Sequence, residues 1–269
     1  TLMHMKKIRE SNPLISWFKH KEKKVYVKNT RIVTISNDMK KTIAETGCEP
    51  EKIDVVYNWA DTLNLHHVDK SKNLLMDELG IDKKKFIVSY AGDIGLFQGW
   101  DIITEAAKIL QEKTDEICFA LIGSGSYKSQ LLEKIKRENI NNVQVFPLQP
   151  ASRLSEIYSV GDMELVPIER GITKMALPSK TGGIMSCGSP LLALVDEKSE
   201  ISNIIRERNI GVALEHGSAE KLAEAVIYCY KNRDKLDAWG NNARKFAVEN
   251  YSRKTQTQKY YDIIQKLSK

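Results

Sequence analysis

The chain is 269 residues long and 42% hydrophobic, and it carries 41 Lys and Arg against 35 Asp and Glu, a formal net charge of +6. That leaves room for one large domain or two small ones, with an apolar fraction ordinary for a globular chain. No apolar run approaches the roughly 20 residues that span a bilayer, and the N-terminus lacks the positive leader, apolar core and small-residue cleavage site of a secretory signal.

The moderate positive charge suits anionic partners such as nucleotide diphosphates or lipid phosphates, and nothing calls for nucleic acid. Cys48, Cys118, Cys187 and Cys229 lie far apart, without metal or disulfide spacing, which fits core packing in a reducing cytosol. The sequence opens on Thr1 rather than a methionine, so a natural N-terminus upstream of it is expected.

Thr1 to Lys28 is basic: Lys6, Lys7, Arg9, Lys19, Lys21, Lys23, Lys24 and Lys28 are interleaved with Leu14, Ile15, Trp17, Phe18, Val25 and Tyr26. Pro13 should break or restart a helix there. The preferred reading is a helix packing its interrupted apolar side on the protein. The alternative is a basic, Trp-bearing segment lying on an anionic membrane surface. Arg31 to Ser36 and Lys52 to Asn58 read as strands around a helix from Asn37 to Thr46. Trp59 to Asn73, with adjacent His66 and His67, reads as a polar linker with solvated histidines, since no third ligand stands at metal spacing.

A second strand–helix alternation follows. Leu74 to Leu79 is a helix closed by Gly80, and Phe86 to Ala91 is a continuous apolar strand, as expected for a sheet covered on both faces. It runs into a glycine-rich junction, Gly92-Asp93-Ile94-Gly95-Leu96-Phe97-Gln98-Gly99, before a helix from Asp101 to Glu112. Such a junction cradles phosphate on free backbone N–H groups, although glycines also simply make turns. Ile117 to Ile122 is the next strand, ending in Gly123-Ser124-Gly125; Lys128 takes the place of a third glycine, which argues against a dinucleotide fingerprint. A helix from Tyr127 to Glu138, a strand from Asn142 to Pro147, the Leu148 to Ala151 loop and a helix from Arg153 to Gly161 come next.

The most informative stretch runs from Ala176 to Pro190, between the apolar strands Met163 to Pro167 and Pro190 to Val195. Pro178 and Ser179 have the chemistry of a helix start, Ser179 as an N-cap acceptor, and Gly188 that of a helix stop. Small residues along this helix let a ligand or another backbone come close. Lys180 in the first turn adds a cation to a helix N-terminus, a plausible anion site; a tight crossover with a solvated lysine fits the same residues. Lys174 lies nearby without a motif role. After it come a helix over Asp196 to Arg208, a strand from Gly211 to Leu214, and helices from Ala219 to Lys231, from Asp234 to Asn250 and after Ser252. The alternation predicts a doubly wound parallel α/β sheet.

Pro178-Ser179-Lys180 followed by Ile184-Met185-Ser186-Cys187-Gly188-Ser189-Pro190 resembles the donor-binding motif of family-4 glycosyltransferases, and the likeness extends over nearly the whole chain. It implies the GT-B fold: a Rossmann-like donor domain over residues 61–250, a remnant of the N-terminal acceptor-side domain over 1–60, with Ser36 and Asn58 at its strand ends, and a crossover helix over 251–269. It further implies retaining, metal-independent transfer from a nucleotide-diphosphate sugar, expected to be a UDP-sugar, to a glycan or lipid-linked acceptor in capsule-type polysaccharide synthesis. The expected location is the cytoplasm, with peripheral contact at the inner face of the plasma membrane. No Asp-x-Asp motif of metal-assisted transfer is present.

Residue by residue, the resemblance implies donor contacts from Gly92, Asp93, Gly95, Leu96 and Gln98, from Gly123 and Leu148, and from Ser179, Lys180, Thr181, Gly182 and Gly183. The sequence departs from the family at two places. The first loop has Gln98 where a Lys is usual and has no Arg, and the family's two glutamates fall at Met175 and Gly183. Catalytic residues are therefore unassigned, and Glu169 and Glu200 are the nearby carboxylates. A non-catalytic or split nucleotide-sugar-binding module needing a partner chain is the competing reading. A sugar-nucleotide epimerase lacks a convincing acid–base set.

Overall fold

The computed structural model describes residues 13–173 and 175–268. Lys6, Lys7 and Arg9 of the basic stretch, and Lys174, lie outside the described residues. The first helix, α1 (Pro13–Lys28), starts at the proline, which suits a first turn. It buries none of its residues, and Leu14, Trp17, Phe18, Val25 and Val27 are exposed. The expectation that its apolar side packs on the protein holds for Tyr26, which lies half-buried against Ile43, Cys48 and Ile53, and fails for the face of Leu14, Trp17, Phe18 and Val25. The physical reason is in the spacing: Lys21 falls on the face that Leu14, Trp17, Phe18 and Val25 would form, and its ammonium lies 5.4 Å from the Trp17 ring.

Strands β1 (Ile32–Thr34) and β2 (Ile53–Val55) pair in parallel through the crossover helix α2 (Asn37–Glu45). Ser36 caps α2 by accepting from the Met39 amide at 3.1 Å. Ile43, Cys48 and Ile53 form the small core of this unit.

The remaining elements build one six-stranded sheet. In chain order they are α3 (Leu74–Leu79), β3 (Phe86–Asp93), α4 (Trp100–Gln111), β4 (Ile117–Ser124), α5 (Lys128–Arg137), β5 (Val143–Phe146), α6 (Leu154–Ile157), β6 (Met163–Pro167), α7 (Lys180–Ser186), β7 (Leu191–Leu194), α8 (Glu200–Arg208), β8 (Gly211–Leu214), α9 (Ala219–Lys231), α10 (Asp234–Tyr251) and α11 (Arg253–Leu267). Every pairing is parallel, and the order is β5-β4-β3-β6-β7-β8. The chain winds outward from β3 one way and from β6 the other, so the topological switch point lies between them. Helices cover both faces, as the continuous apolar strands demand. Tyr90, Phe86 and Phe119 pack with Trp100, Ile103 and Val226 on one side. Ile87, Ala91 and Ala120 pack with Ile184, Met185, Phe246 and Tyr251 on the other. Each such large side chain contributes roughly 1.5–3 kcal/mol by leaving water.

The expected short helix over Arg153 to Gly161 is shorter still, a 3-10 turn at Ala151–Arg153 followed by the single turn of α6. The linker from Trp59 is pinned by Arg244, whose guanidinium donates to the carbonyls of Thr62 at 2.8 Å, Leu65 at 2.6 Å and Ser186. His66 and His67 are exposed.

Candidate functional site

At the carboxyl ends of β3 and β4 lies a cavity of about 670 Å³, walled by Tyr90, Gly92, Asp93 and Gln98, by Leu148 to Ala151, and by Pro178, Ser179 and Lys180. A second cavity of about 440 Å³ shares Ala151, Leu154, Tyr158, Ser179 and Lys180 with it and adds Trp59, Asp61 and Gly183. The two form one cleft at the switch point of the sheet, where open α/β sheets take ligands. A hollow of about 740 Å³ at Asp162, Ser189 and Pro190 sits at the opposite, amino ends of β6 and β7.

The loop from β3 to α4 is held from inside. Trp100 Nε1 donates to the Gly95 carbonyl at 2.8 Å, and the Ile94 amide donates to the Ser124 carbonyl at 2.9 Å. Gly99 caps α4 with φ 64°, and an added Cβ there would come within 2.8 Å of His216 Cε1. His216 bonds to the Ile168 carbonyl, and burial holds its pKa below the ordinary value. Sequence reading passed over this histidine because it lies over a hundred residues from the loop it supports. Gly92, with φ 141°, faces the cavity. Gln98 also faces it, and its Oε1 is buried without a hydrogen-bond partner. Gly95, Leu96 and Gly123 line neither cavity. A Cβ at Gly95 would stand 2.5 Å from Asp93 Oδ2, so a side chain there would displace the exposed Asp93 carboxylate.

Helix α7 departs from expectation at its start. Ser179 has helical dihedrals (φ −60°, ψ −27°) and makes no capping bond, because a capping side chain needs an extended backbone to reach back to the helix amides. Thr181 Oγ1 donates to the Pro178 carbonyl at 2.6 Å instead. Thr181 and Gly182 are turned into the interior and line neither cavity. The small residues serve packing: an added Cβ on Gly182 would meet Tyr251 Cδ1 at 3.0 Å, and one on Gly183 would meet Tyr158 Cε2 at 2.9 Å. Gly188 closes the helix with φ 67°.

Lys180 is the main surprise. Its stem walls both cavities, but its ammonium lies inward, 3.5 Å from the ring centre of Tyr90, and donates to the Ala91 carbonyl at 3.2 Å. Tyr90 is only 2% exposed, so the ammonium sits in the interior, which overturns the alternative of a solvated lysine at a tight crossover. Beneath it Glu164 of β6 is wholly buried; one carboxylate oxygen takes the Ser89 hydroxyl and the other has no partner. Burial pushes Glu164 above the usual carboxylate range and Lys180 below the usual lysine range, and each opposes the other's shift by its charge. The sequence offered a signal for Glu164: an acid inside an otherwise apolar strand needs a buried counter-charge.

The remaining carboxylates stand elsewhere. Glu169 is exposed, and Met175 and Gly183 carry none. Glu200 is not in the cleft walls; it accepts from the Asn37 amide and from Tyr57 Oη, each at 2.5 Å.

The sequence matches the family described as Glycosyl transferases group 1 over residues 71–246. WcaI of Escherichia coli (strain K12), a glycosyl transferase assigned by name to colanic acid biosynthesis, is 29% identical over 197 residues, 72% of this chain and 48% of its own length. The probable glycosyltransferase WbjE of Pseudomonas aeruginosa is 24% identical over 244 residues, 90% of this chain and 60% of its own. The chain thus spans about half to three fifths of the length of these relatives. Among solved structures, Anabaena Alr3699/HepE in complex with UDP-glucose superposes with a TM-score of 0.73 at 18% identity, covering 88% of this chain and 64% of that one. Sucrose-phosphate synthase from Thermosynechococcus elongatus superposes with a TM-score of 0.78 at 14% identity, covering 93% and 61%. The fold is that of GT-B glycosyltransferases, a parallel sheet with helices on both faces.

Proposed function

The chain belongs to the group 1 glycosyl transferases, and from that premise we propose that it binds a nucleotide-diphosphate sugar in the cleft between the Gly92–Gly99 loop and the start of α7. The whole enzyme would transfer that sugar to a glycan or lipid-linked acceptor in cell-surface polysaccharide synthesis, as a retaining, metal-independent member of family 4. A UDP-sugar is the donor favoured here, because Alr3699/HepE was solved with UDP-glucose. Residues 61–250 are the donor half, 251–269 the crossover helix and 1–60 the tail of the acceptor half. The cytoplasmic side of the membrane is the corresponding location, and among the described residues no helix is long and apolar enough to cross a membrane.

The observation that carries the donor site is the position of Lys180. The first loop has no Lys or Arg between Gly92 and Gly99. Lys180 supplies a cation from the opposite wall, with its Nζ 3.9 Å from where a Gly92 Cβ would stand. As the glycosidic bond to the donor phosphate breaks, negative charge grows on the leaving diphosphate. Loop amides and an ammonium aimed into the cleft stabilise that charge. Gln98, with its unpartnered amide oxygen, takes a donor hydroxyl.

The competing reading is a donor-binding module that does not catalyse by itself. It is favoured by the absence of carboxylates at Met175 and Gly183. Hydrogen exchange with UDP-glucose tests the shared premise: protection should appear in Gly92–Gly99. Protection confined to Gly123–Ser126 would instead indicate a dinucleotide-type site. Turnover with an acceptor added then separates enzyme from module.

A further inference from the structure

We propose that Glu164 is a positioning residue for donor binding: from inside the sheet it holds Lys180 protonated and drawn onto the Tyr90 ring, so that a cation is ready when the diphosphate arrives. The inference rests on the donor-site reading above and deepens it. Glu164 stands on β6, an inner strand, is fully buried, and has one carboxylate oxygen with no hydrogen-bond partner. An orphaned buried carboxylate oxygen is costly, and a compensating charge is what makes it tolerable. Lys180 opposes Glu164 in charge, but no ion pair within 4 Å joins them. The ammonium spends its contacts on the Tyr90 face and the Ala91 carbonyl instead. A lysine held by charge at a distance, rather than locked in a direct bond, can turn toward an arriving anion without breaking an ion pair.

The neighbouring groups leave this pair as the one that titrates near neutrality. Tyr90 and Tyr158 both feel the Glu164 charge and are pushed well up by burial. Cys187, on the far end of α7, is pushed up to about 12, by burial first and by Glu164 second, with the Arg244 guanidinium opposing. Ser89 is a neutral donor to Glu164. Asp93 acts on Tyr90 from the cavity side. His216, behind the loop, is held below its ordinary value by burial, which puts its titration on the acid side of the pair's. Donor binding needs the protonated ammonium, and burial lowers the Lys180 pKa. Affinity is therefore full below that pKa and declines as pH rises through it, by about tenfold per pH unit well above it. Glu164 raises the Lys180 pKa and so extends the range of tight binding upward.

The test is calorimetric binding of UDP-glucose from pH 6 to 9 by the parent, Glu164→Gln and Lys180→Met, with a titration of the Lys180 side chain by NMR in the donor-free protein. The diphosphate diester of UDP-glucose keeps its charge over the range, and the Lys180→Met profile serves as the baseline for the uracil ionisation that begins toward pH 9. Glu164→Gln keeps the size and the Ser89 bond. It should move both the binding profile and the Lys180 titration downward by a pH unit or more, leaving affinity about tenfold weaker at the alkaline end. At the acid end, where burial leaves the parent's Glu164 carboxyl largely protonated as well, it should bind about as tightly as the parent; a merely structural defect would weaken binding throughout. Lys180→Met should flatten the profile. If Glu164→Gln and the parent share one Lys180 titration, the inference is overturned whether or not donor binds. If the titration moves but UDP-glucose fails to bind the parent, the donor-site reading fails, and with it the role assigned to Glu164.

Discussion

Asn37 and Glu200 lie 163 positions apart, yet the Asn37 amide donates to a Glu200 carboxylate oxygen at 2.5 Å. The Glu200 amide returns the arrangement by donating to Asp38 Oδ2 at 2.7 Å. The N-termini of α2 and α8 thus cap each other across the two sheets. Tyr57 adds a bond to the same carboxylate and stacks on Tyr251, with ring centres 4.9 Å apart. Removing an acceptor of several hydrogen bonds leaves partly buried donors unsatisfied, at a cost of about 1.5–3 kcal/mol for a charged group. Glu200→Ala should lower stability to urea by that amount.

Asp38 should behave in the opposite way. Its pKa is raised, by burial first and also by the Glu200 charge, with hydrogen bonding to the Glu200 amide opposing. A raised folded-state pKa means that ionisation disfavours the fold, so stability declines as pH climbs through that pKa. Asp38→Asn keeps an acceptor for the Glu200 amide and removes the charge. It should be at least as stable as the parent at neutral pH, and its advantage should fade in acid; urea unfolding at two pH values measures this.

Gly183→Ala tests whether small residues in α7 serve packing. In a free helix alanine is favoured over glycine by about 1 kcal/mol. Here the added Cβ would press to 2.9 Å from the buried Tyr158 ring, and overpacking costs about 1–3 kcal/mol. The variant should therefore unfold more easily than the parent despite its better helix propensity. A gain in melting temperature would show that the helix has room for a ligand there.

These outcomes bear on what the sequence disclosed. Period and punctuation were enough for the sheet: Gly211 to Leu214, Leu74 to Leu79 and Ala219 to Lys231 were read with the bounds that the structure has. The cleft was legible as two glycine-bearing junctions, because strand ends and loops are local features. What was not legible depends on residues far apart in sequence. Gly182 and Gly183 read as a close approach by a ligand or another backbone; Gly183 does line the cleft, but the groups nearest the two are the side chains of Tyr251 and Tyr158. Lys180 was legible as a cation at a helix start, but its inward seat was not, because nothing near it in sequence announces Tyr90 or Glu164. The face of α1 looked packable until Lys21 was counted on it.

Gln98→Lys should restore a cation to the first loop. If Lys180 supplies from α7 what the loop lacks, the change should recover part of the UDP-glucose affinity lost in Lys180→Ala, by roughly the 1–2 kcal/mol of a partly solvated charge-assisted bond. In Gln98→Lys alone two cations face each other across one cavity, whereas the double variant keeps only the new one, so the two substitutions should be strongly non-additive. Simple additivity in calorimetry would place them at different sites.

The central claim is that the Lys180 ammonium meets the donor diphosphate. Calorimetric titration of UDP-glucose into the parent and Lys180→Ala at pH 6.5 tests it directly, with the exposed surface variant Lys113→Ala as control. A charge-assisted bond of about 1.5–3 kcal/mol predicts at least tenfold weaker binding for Lys180→Ala, with Lys113→Ala unchanged. Equal affinity in parent and Lys180→Ala, with both folded, would contradict the account.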